Sequence, residues 1–220
     1  MLETLERPRT LKECALEHLR EAIMLGTFKP GERLIERILC EKLNVSRTVV
    51  RECIRHLESE RLITVIANTG PSITILNEAQ VAEIYEIRAG LESAAASACA
   101  KNASLKTIED LKKSCTIIET GLKAGEILPA LKQTTLFYKT IFVAGNKTVS
   151  WDLVEQLNGR ISQLRVLTLS SGNRSATGPA NLKNIVSAIE KHDPEAAASA
   201  CIKHITEASK IALECLAEQA

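Results

Sequence analysis

The stretch that most constrains the fold is residues 44–58, NVSRTVVRECIRHLE, in which an arginine recurs at every fourth position. Arg47, Arg51 and Arg55 share one side of a helix, because four residues make slightly more than one helical turn. The opposite side collects the apolar residues Val49 or Val50, Cys53, Ile54 and Leu57. This pattern predicts an amphipathic helix with a basic outer stripe. The stripe alone fits either a solvated face or a nucleic-acid-binding face.

Two further helices are predicted before this one. Apolar residues recur with helical spacing over residues 11–25, and a shorter helix is predicted over residues 35–43. Asn44 tolerates the left-handed conformation that a tight turn between two helices needs. Ser46 can cap the third helix, because its hydroxyl can accept a hydrogen bond from a free backbone N–H.

A β-hairpin is predicted directly after the third helix. Two β-rich runs within residues 62–76 flank the sequence NTGP, with Gly70 in the turn. Three helices followed by a hairpin is the order of a winged helix-turn-helix. We therefore predict a winged helix-turn-helix DNA-binding domain over residues 1–77.

Beyond Asn77 the pattern changes to long helices with short breaks. Asn77 and Gln80 resemble a capping box, and Asp193 followed by Pro194 is a strong helix start. The helices are predicted over residues 77–100, 104–124, 129–144, 148–170, about 179–191 and 194–218. The Ser-, Gly- and Asn-rich segment 170–181 is predicted to be a loop. The fold class is thus mainly α, with an all-α antiparallel helical bundle over residues 78–220.

The composition is typical of a soluble globular protein, with 45% hydrophobic and 25% charged residues. Net charge is only +1, so a nucleic-acid surface has to be a local patch. The seven cysteines are scattered without a C-x-x-C pair, which favours reduced thiols over disulfides or a zinc site. We expect a cytoplasmic protein without membrane association, because signal-peptide and membrane-span patterns are missing from the sequence.

The third helix carries side chains suited to DNA in its first turns. Arginine can bind guanine O6 and N7 through two hydrogen bonds, which suits Arg47 and Arg51. Thr48 can reach a phosphate or a thymine methyl group. Ser46 lies at the helix N-terminus, where backbone N–H groups attract phosphate.

Residues 11–76 resemble the N-terminal domain of the GntR family of bacterial transcription regulators. The matching stretches are LREAIMLGTFKPGERLIE, LNVSRTVVREC and the predicted hairpin. The resemblance implies the following DNA-contacting residues: Arg37, Ser46, Arg47, Thr48, Arg51 and Gly70. For Arg37, an exposed helix charge without a role in DNA binding is the alternative.

The sequence departs from the family pattern at four positions. Val49 stands where the family commonly has proline, and Arg61 stands where it commonly has glycine. Asn68 and Thr69 precede the wing glycine where the family commonly has a basic residue. The residues that would contact DNA from the helices match the family pattern. Whether the wing also contacts DNA is left open by the sequence.

Residues 78–220 resemble the FCD effector domain of the FadR-like branch of that family. The matching stretches are EIYEIRAGLESAAASACA, LFYKTIFVAGN and LKNIVSAIEKHDPEAAASACIKHI. Many members of that branch hold a divalent metal through an aspartate and three histidines. The corresponding positions here are Thr134, Tyr138, Leu182 and His204. One imidazole in such a set does not make a zinc or nickel site, so we predict no metal and no other cofactor.

The resemblance also implies an effector cavity. Arg88 is placed where the family has an arginine that faces the cavity, and it could bind a carboxylate with two hydrogen bonds. Tyr138, His204 and Thr134 would supply further polar groups. A salt bridge from Arg88 to Glu92 and an interior role for His204 are the alternatives. Whether Arg160 and Arg165 face the cavity or solvent stays open.

No catalytic motif stands out in the sequence, so an enzyme is not expected. The resemblance implies a homodimeric transcription regulator, with repression as the family habit. Its partners would be a palindromic double-stranded DNA operator and a small anionic effector such as a carboxylate. One alternative is a DNA-binding recruitment or architectural protein whose helical domain binds a protein partner. Another is a metal held by donors outside the family positions.

Overall fold

A computed structural model describes residues 8–67, 69–170 and 172–218 of the 220-residue chain. The chain divides between Ile75 and Leu76 into two compact units. The elements of the N-terminal unit are α1 (Leu11–Met24), α2 (Glu36–Leu43), α3 (Arg47–Ser59), β1 (Ile63–Ile66) and β2 (Gly70–Ile73). Within the described ranges, no helix has the length and hydropathy needed to cross a membrane.

The turn between α2 and α3 forms as predicted. Asn44 adopts the left-handed conformation, with φ 51° and ψ 48°. Ser46 caps α3, and its Oγ accepts a hydrogen bond from the N–H of Val49 at 3.3 Å. Proline has no N–H, so the family's usual residue at position 49 could not donate this bond. Val49 therefore provides a capping hydrogen bond to Ser46 that a proline at this position would lack.

The apolar side of α3 forms the centre of the N-terminal core. Val50, Cys53 and Leu57 are fully buried, and Ile54 is nearly so, which confirms the predicted inner face. The same cluster includes residues from α1 and from both strands. Because that face is buried, the arginines of α3 are left on the outer face.

The predicted hairpin is a two-stranded antiparallel sheet. Its register runs from Ile63 opposite Ile73 to Ile66 opposite Gly70. Gly70 has a φ of +88°, a conformation that side-chain-bearing residues rarely adopt. Arg33 adds an isolated bridge to Ser72 at the other edge of β2. Of the two residues that precede the wing glycine, Asn68 lies outside the described residues.

Arg61 is one of the four departures from the family pattern. It follows α3 with a φ of +60°, in the left-handed region that favours glycine. The family's glycine at this position therefore has a conformational reason. Arg61 adopts the same conformation at a cost of about 1–2 kcal/mol relative to right-handed backbone.

In the part of the C-terminal unit that the structure describes, there are six helices. They are α4 (Glu78–Asn102), α5 (Leu105–Lys123), α6 (Ile127–Ala144), α7 (Thr148–Ser170), α8 (Gly172–Glu190) and α9 (Pro194–Ala217). The capping box of Asn77 and Gln80 and the cap from Asp193 both form as predicted. The most extensive helix pair is α4 with α9. One continuous core joins side chains from all six helices.

The predicted loop over residues 170–181 is wrong for most of its length. Helix α8 begins at Gly172 and continues through Pro179, while Ser171 lies outside the described residues. Gly178 and Pro179 are both buried. Serine, glycine and proline are weak helix formers, so packing against neighbouring helices has to stabilise this turn of helix.

The cysteines are free thiols. Four are buried and three are partly buried: Cys53, Cys99, Cys115 and Cys201, and then Cys14, Cys40 and Cys215. Burial raises the pKa of Cys99 and of Cys115 to about 11, so both remain protonated at neutral pH. The buried four therefore serve as small apolar side chains.

A close approach between α4 and the end of α6 depends on Gly145. A Cβ atom added there would lie 2.9 Å from the carbonyl oxygen of Ala95 and 3.1 Å from the amide nitrogen of Cys99. Both neighbours are backbone atoms of one helix, so neither can rotate away. Gly145 thus permits the two helices to touch.

We expect Gly145→Ala to lower the free energy of unfolding by about 1–3 kcal/mol, because the added methyl group overpacks this contact. Gly90→Ala is the matched control, since a Cβ there meets nothing within 4 Å. That control should be neutral or stabilising by up to about 1 kcal/mol in the helix interior. Urea unfolding followed by circular dichroism measures both. Equal stabilities for the two variants would contradict the close approach.

Candidate functional site

The exposed face of α3 carries the predicted DNA-binding side chains. Arg47 and Arg51 are 70% and 52% exposed, respectively. Ser46 and Thr48 are exposed beside them in the first turn. The four residues thus lie together at the N-terminal end of one helix, which is the part of a recognition helix that meets base edges.

Glu36, the first residue of α2, holds both arginines of this surface. Its carboxylate accepts a hydrogen bond from Nε of Arg47 at 2.7 Å and from Nε of Arg51 at 3.0 and 3.1 Å. These two hydrogen bonds, Arg47 first, lower the pKa of Glu36. Because both contacts use Nε, the terminal Nη groups of the two guanidinium groups are not used by Glu36.

Arg37 lies one residue further along α2 and is the most exposed of the three predicted arginine contacts, at 76%. It forms an ion pair with Glu41 at 2.8 Å. An exposed pair of this kind contributes only about 0.3–0.5 kcal/mol to stability. The geometry therefore leaves Arg37 able to exchange Glu41 for another anion.

The wing carries a cation that the sequence analysis did not single out. A Cβ atom added to Gly70 would lie 3.8 Å from Nη2 of Arg33. Arg33 is exposed, and its backbone bridges to Ser72 in β2. A guanidinium group therefore lies beside the wing glycine, although the residues directly before that glycine are not basic.

The helical unit contains a cavity of about 50 Å³. Its polar lining residues are Tyr85, Arg88, Thr134, Arg165, Thr168 and His204. Apolar side chains, including Leu122, Leu131 and Leu182, form much of the remaining wall. Three of the four predicted effector residues thus line one cavity.

Arg88 forms a buried ion pair with Glu92, one turn further along α4. Nε of Arg88 lies 2.8 Å from Oε1 of Glu92, and Nη2 lies 3.3 Å from Oε2. The two side chains are 2% and 0% exposed. Burial is the largest influence and disfavours the charged form of Arg88. The charge and hydrogen bonds of Glu92, together with Tyr138 and Tyr85, outweigh burial, so the pKa of Arg88 is raised above its usual range. Arg88 therefore lines the cavity and forms the internal salt bridge, the two roles that the sequence presented as alternatives.

Arg165 of α7 is the second guanidinium group in the cavity wall. Its Nη1 donates a long hydrogen bond of 3.4 Å to Oγ1 of Thr135. Its Cζ lies 5.4 Å from the ring centroid of Tyr138, in a cation–π contact. Burial, together with the charge of Arg88, lowers the pKa of Arg165 to about 10. The side chain is still cationic at neutral pH.

Tyr138 is placed differently from its prediction. It is 1% exposed and falls outside the described lining of the cavity, with its ring against Arg165. Burial first, and then the charge of Glu92, raises the pKa of Tyr138 well above its usual range. Its hydroxyl group has no hydrogen-bond partner among the described atoms. A direct contact of Tyr138 with an effector stays a prediction.

The two halves of the chain match two family profiles. The profile of "Bacterial regulatory proteins, gntR family" matches residues 11–73, and that of the FCD domain matches residues 83–207. The protein belongs to the GntR family. It is a transcription regulator with an FCD domain, and not an enzyme.

Similar GntR proteins span most of the chain. HTH-type transcriptional regulator YdhC of Bacillus subtilis is 30% identical over 187 residues, which is 84% of each chain. The gluconate operon transcriptional repressor of the same species is 30% identical over 126 residues, or 57% of this chain and 51% of that protein.

Among solved structures, Escherichia coli McbR/YncC superposes with a TM-score of 0.79 at 21% identity, covering 94% of this chain and 99% of that chain. A GntR regulator from Rhodococcus sp. RHA1 gives 0.78 at 20% identity, covering 92% and 97%. These likenesses confirm the fold of a winged helix-turn-helix followed by a helical FCD domain.

The residues at the metal positions of FCD domains do not fit a metal in this GntR protein. Thr134 donates its hydroxyl hydrogen to the carbonyl oxygen of Ala130 at 2.8 Å, and Leu182 offers no donor atom. The phenol of Tyr138 stays protonated, which leaves the imidazole of His204. Over the described part of the chain, no three His, Cys, Asp or Glu residues cluster as metal ligands. Zinc and nickel sites need three or four N, O or S donors.

Sequence reasoning missed the residues whose roles depend on the three-dimensional arrangement. Glu36 and Arg33 carry no motif signal, because their partners lie far away in the sequence. Tyr85 and Thr168 also line the cavity and were not singled out. Arg165 was left open, and only the packing of α7 places it in the cavity wall.

We expect Glu92→Leu to lower the free energy of unfolding by about 3–5 kcal/mol, because it leaves a buried arginine unpaired. The double variant Arg88→Met with Glu92→Leu should recover most of that loss, since both charges are removed. Chemical denaturation of the three proteins measures the effect.

The matched control is Asp110→Asn, which breaks an exposed pair with Lys106 at the same four-residue spacing. It should cost less than about 1 kcal/mol. If Glu92→Leu were as mild as Asp110→Asn, the ion pair of α4 would not be buried as described.

Proposed function

We propose that the protein is a homodimeric repressor that binds a palindromic operator through α3 and the wing. We further propose that a small anionic metabolite binds the cavity of the FCD domain and changes operator affinity. Relatives named as repressors, including the gluconate operon repressor of Bacillus subtilis, support repression. A symmetric dimer would present two copies of α3 to two half-sites about one turn of DNA apart.

The arrangement at the start of α3 carries the DNA part of the proposal. Glu36 fixes the Nε atoms of Arg47 and Arg51, so the two Nη groups of each arginine are available for guanine O6 and N7. Thr48 and the capped N-terminus at Ser46 would contact phosphate. Arg33 would supply the cation at the wing, beside Gly70, and Arg37 would add a contact from α2.

The charged cavity supports the effector part of the proposal. Arg88 and Arg165 line it, and Thr134 and His204 add polar groups. An anion held among these groups would contact α4, α6, α7 and α9 together. A ligand that favours one arrangement of these helices would shift operator affinity, because the two binding events share one conformational equilibrium.

We expect Arg47→Ala and Arg51→Ala each to weaken operator binding by about 1–3 kcal/mol, because each removes a base contact. Fluorescence anisotropy on DNA from upstream of the protein's own gene, at several salt concentrations, measures this loss. Arg55→Ala is the control from the same stripe, one turn further along, and should leave sequence preference unchanged.

In the same titrations, Arg33→Gln should weaken binding to all sequences alike and reduce the salt slope by about one, as for a phosphate contact. Equal binding by wild type and by the Arg47 and Arg51 variants would contradict the proposed reading surface. Operator affinity that no small molecule changes would favour the recruitment function for the helical domain.

Glu36→Gln tests the orientation of the two arginines. The variant removes a negative charge near DNA, so we expect affinity for random DNA to rise. The binding free energy that favours operator over random DNA should nevertheless fall by about 1 kcal/mol, which lowers the ratio of the two affinities, because two guanine contacts lose their support. Glu41→Gln removes the same charge from α2 and leaves Arg47 and Arg51 in place. Its ratio should stay at the wild-type value, and an equal fall in both variants would refute the role of Glu36.

A further inference from the structure

We propose that Arg165, in place of a metal ion, supplies the charge that anchors a small monocarboxylate in the cavity of the helical unit. This inference rests on the proposed effector site and names its ligand class and its anchoring residue. Four observations support it: the charge balance of the cavity, the free donors of Arg165, the size of the cavity and the lack of metal donors.

Among the described residues of the cavity wall, Arg88 and Arg165 together with Glu92 leave an excess of one positive charge. Arg88 is neutralised by Glu92 within the same helix. Arg165 has no ion pair with any carboxylate of the described residues, although it lines the same cavity. A partly buried cation without a counter-ion is unfavourable, and binding one anion would relieve this cost. The balance therefore selects a monoanion over a dianion.

The contacts of Arg165 leave most of its donors available. Of its five N–H groups, one is used in a hydrogen bond to the described part of the chain, the long bond to Thr135. The ring of Tyr138 contacts the guanidinium group and limits its movement. A planar group held in this way is suited to two parallel hydrogen bonds with a carboxylate.

The size and the remaining lining of the cavity restrict the rest of the ligand. A volume of about 50 Å³ has room for about three or four water-sized groups. Leu122, Leu131 and Leu182 contribute an apolar wall. A short aliphatic carboxylate satisfies both conditions, because its carboxylate can meet Arg165 while its few carbon atoms contact leucine side chains.

The metal positions explain why an arginine has to provide the charge. Thr134, Tyr138 and Leu182 stand at three of the four positions, so a divalent cation has too few donors here. Arg165 is within the same cavity wall as Thr134 and His204. Binding at this site should therefore be independent of metal.

The test is calorimetric titration of the full-length protein with acetate, propionate and butyrate, with and without EDTA. Propionamide, the neutral analogue of propionate, is the ligand control. We expect saturable binding of at least one carboxylate, no binding of the amide and no effect of EDTA. Arg165→Gln should weaken carboxylate binding roughly 10- to 100-fold, as for the loss of a hydrogen bond to a charged group. Arg165→Lys should retain part of the affinity.

Two controls separate a lost contact from a damaged fold. Arg165→Gln removes a desolvated cation, so its unfolding midpoint should equal or exceed that of the wild type. Lys183→Gln removes an exposed charge of α8 and should leave carboxylate binding unchanged. The inference is overturned if none of the carboxylates binds, if EDTA abolishes binding, or if Arg165→Gln binds as the wild type does.

Operator titrations in the presence of the bound carboxylate keep the two proposals distinguishable. Arg165-dependent binding without any change in operator affinity would uphold the anchor and refute the regulatory role of this ligand. A change in operator affinity that persists in Arg165→Gln would uphold regulation and refute the anchor.

Discussion

The buried ion pair of Arg88 and Glu92 is the constraint on which the chemistry of the helical unit depends. Two charges taken out of water are tolerated only because each satisfies the other within one turn of α4. With its charge cancelled, Arg88 contributes donors to the cavity wall but no net charge. Under the proposed function, Arg165 in the same cavity wall then determines which charge the cavity attracts. One pairing in a single helix thus assigns different roles to two similar side chains.

The N-terminal unit uses a carboxylate in a different way. Glu36 is partly exposed and contacts two arginines that both remain accessible. Its effect on stability is therefore small. Its hydrogen bonds nevertheless hold the Nε atoms of both arginines in place. A guanidinium group held at Nε loses less rotational freedom when it meets a base. Under the proposed function, Glu36 orients two arginines of a DNA-binding surface, whereas Glu92 cancels a charge in the wall of the effector cavity.

Local signals account for the parts of the structure that the sequence predicted well. Asn44, Ser46, Asn77 and Asp193 each act on backbone within a few residues, so their effect is readable without knowledge of the fold. The Arg88–Glu92 pair was among the alternatives for the same reason, because a four-residue spacing brings two side chains together on any helix. The start of α8 was missed because the burial of its weak helix formers depends on the other helices. Contacts between distant segments, such as Arg33 beside Gly70, have no pattern in sequence spacing.

At the metal positions of the cavity, the loss of metal donors has to be considered together with the charges that remain in the cavity wall. Replacing aspartate and histidine by threonine, tyrosine and leucine removes the donors for a metal, and it also removes the negative charge that a metal would balance. Arg165, a cation in the wall of the same cavity, then has no carboxylate counter-ion among the residues that the structure describes. The loss of the metal donors and the loss of their negative charge act in the same direction. A cavity without a metal can still attract an anion if a guanidinium group in its wall is not neutralised. Because a guanidinium group is covalently part of the chain, its charge is always present, and the occupancy of such a site depends on the anion alone.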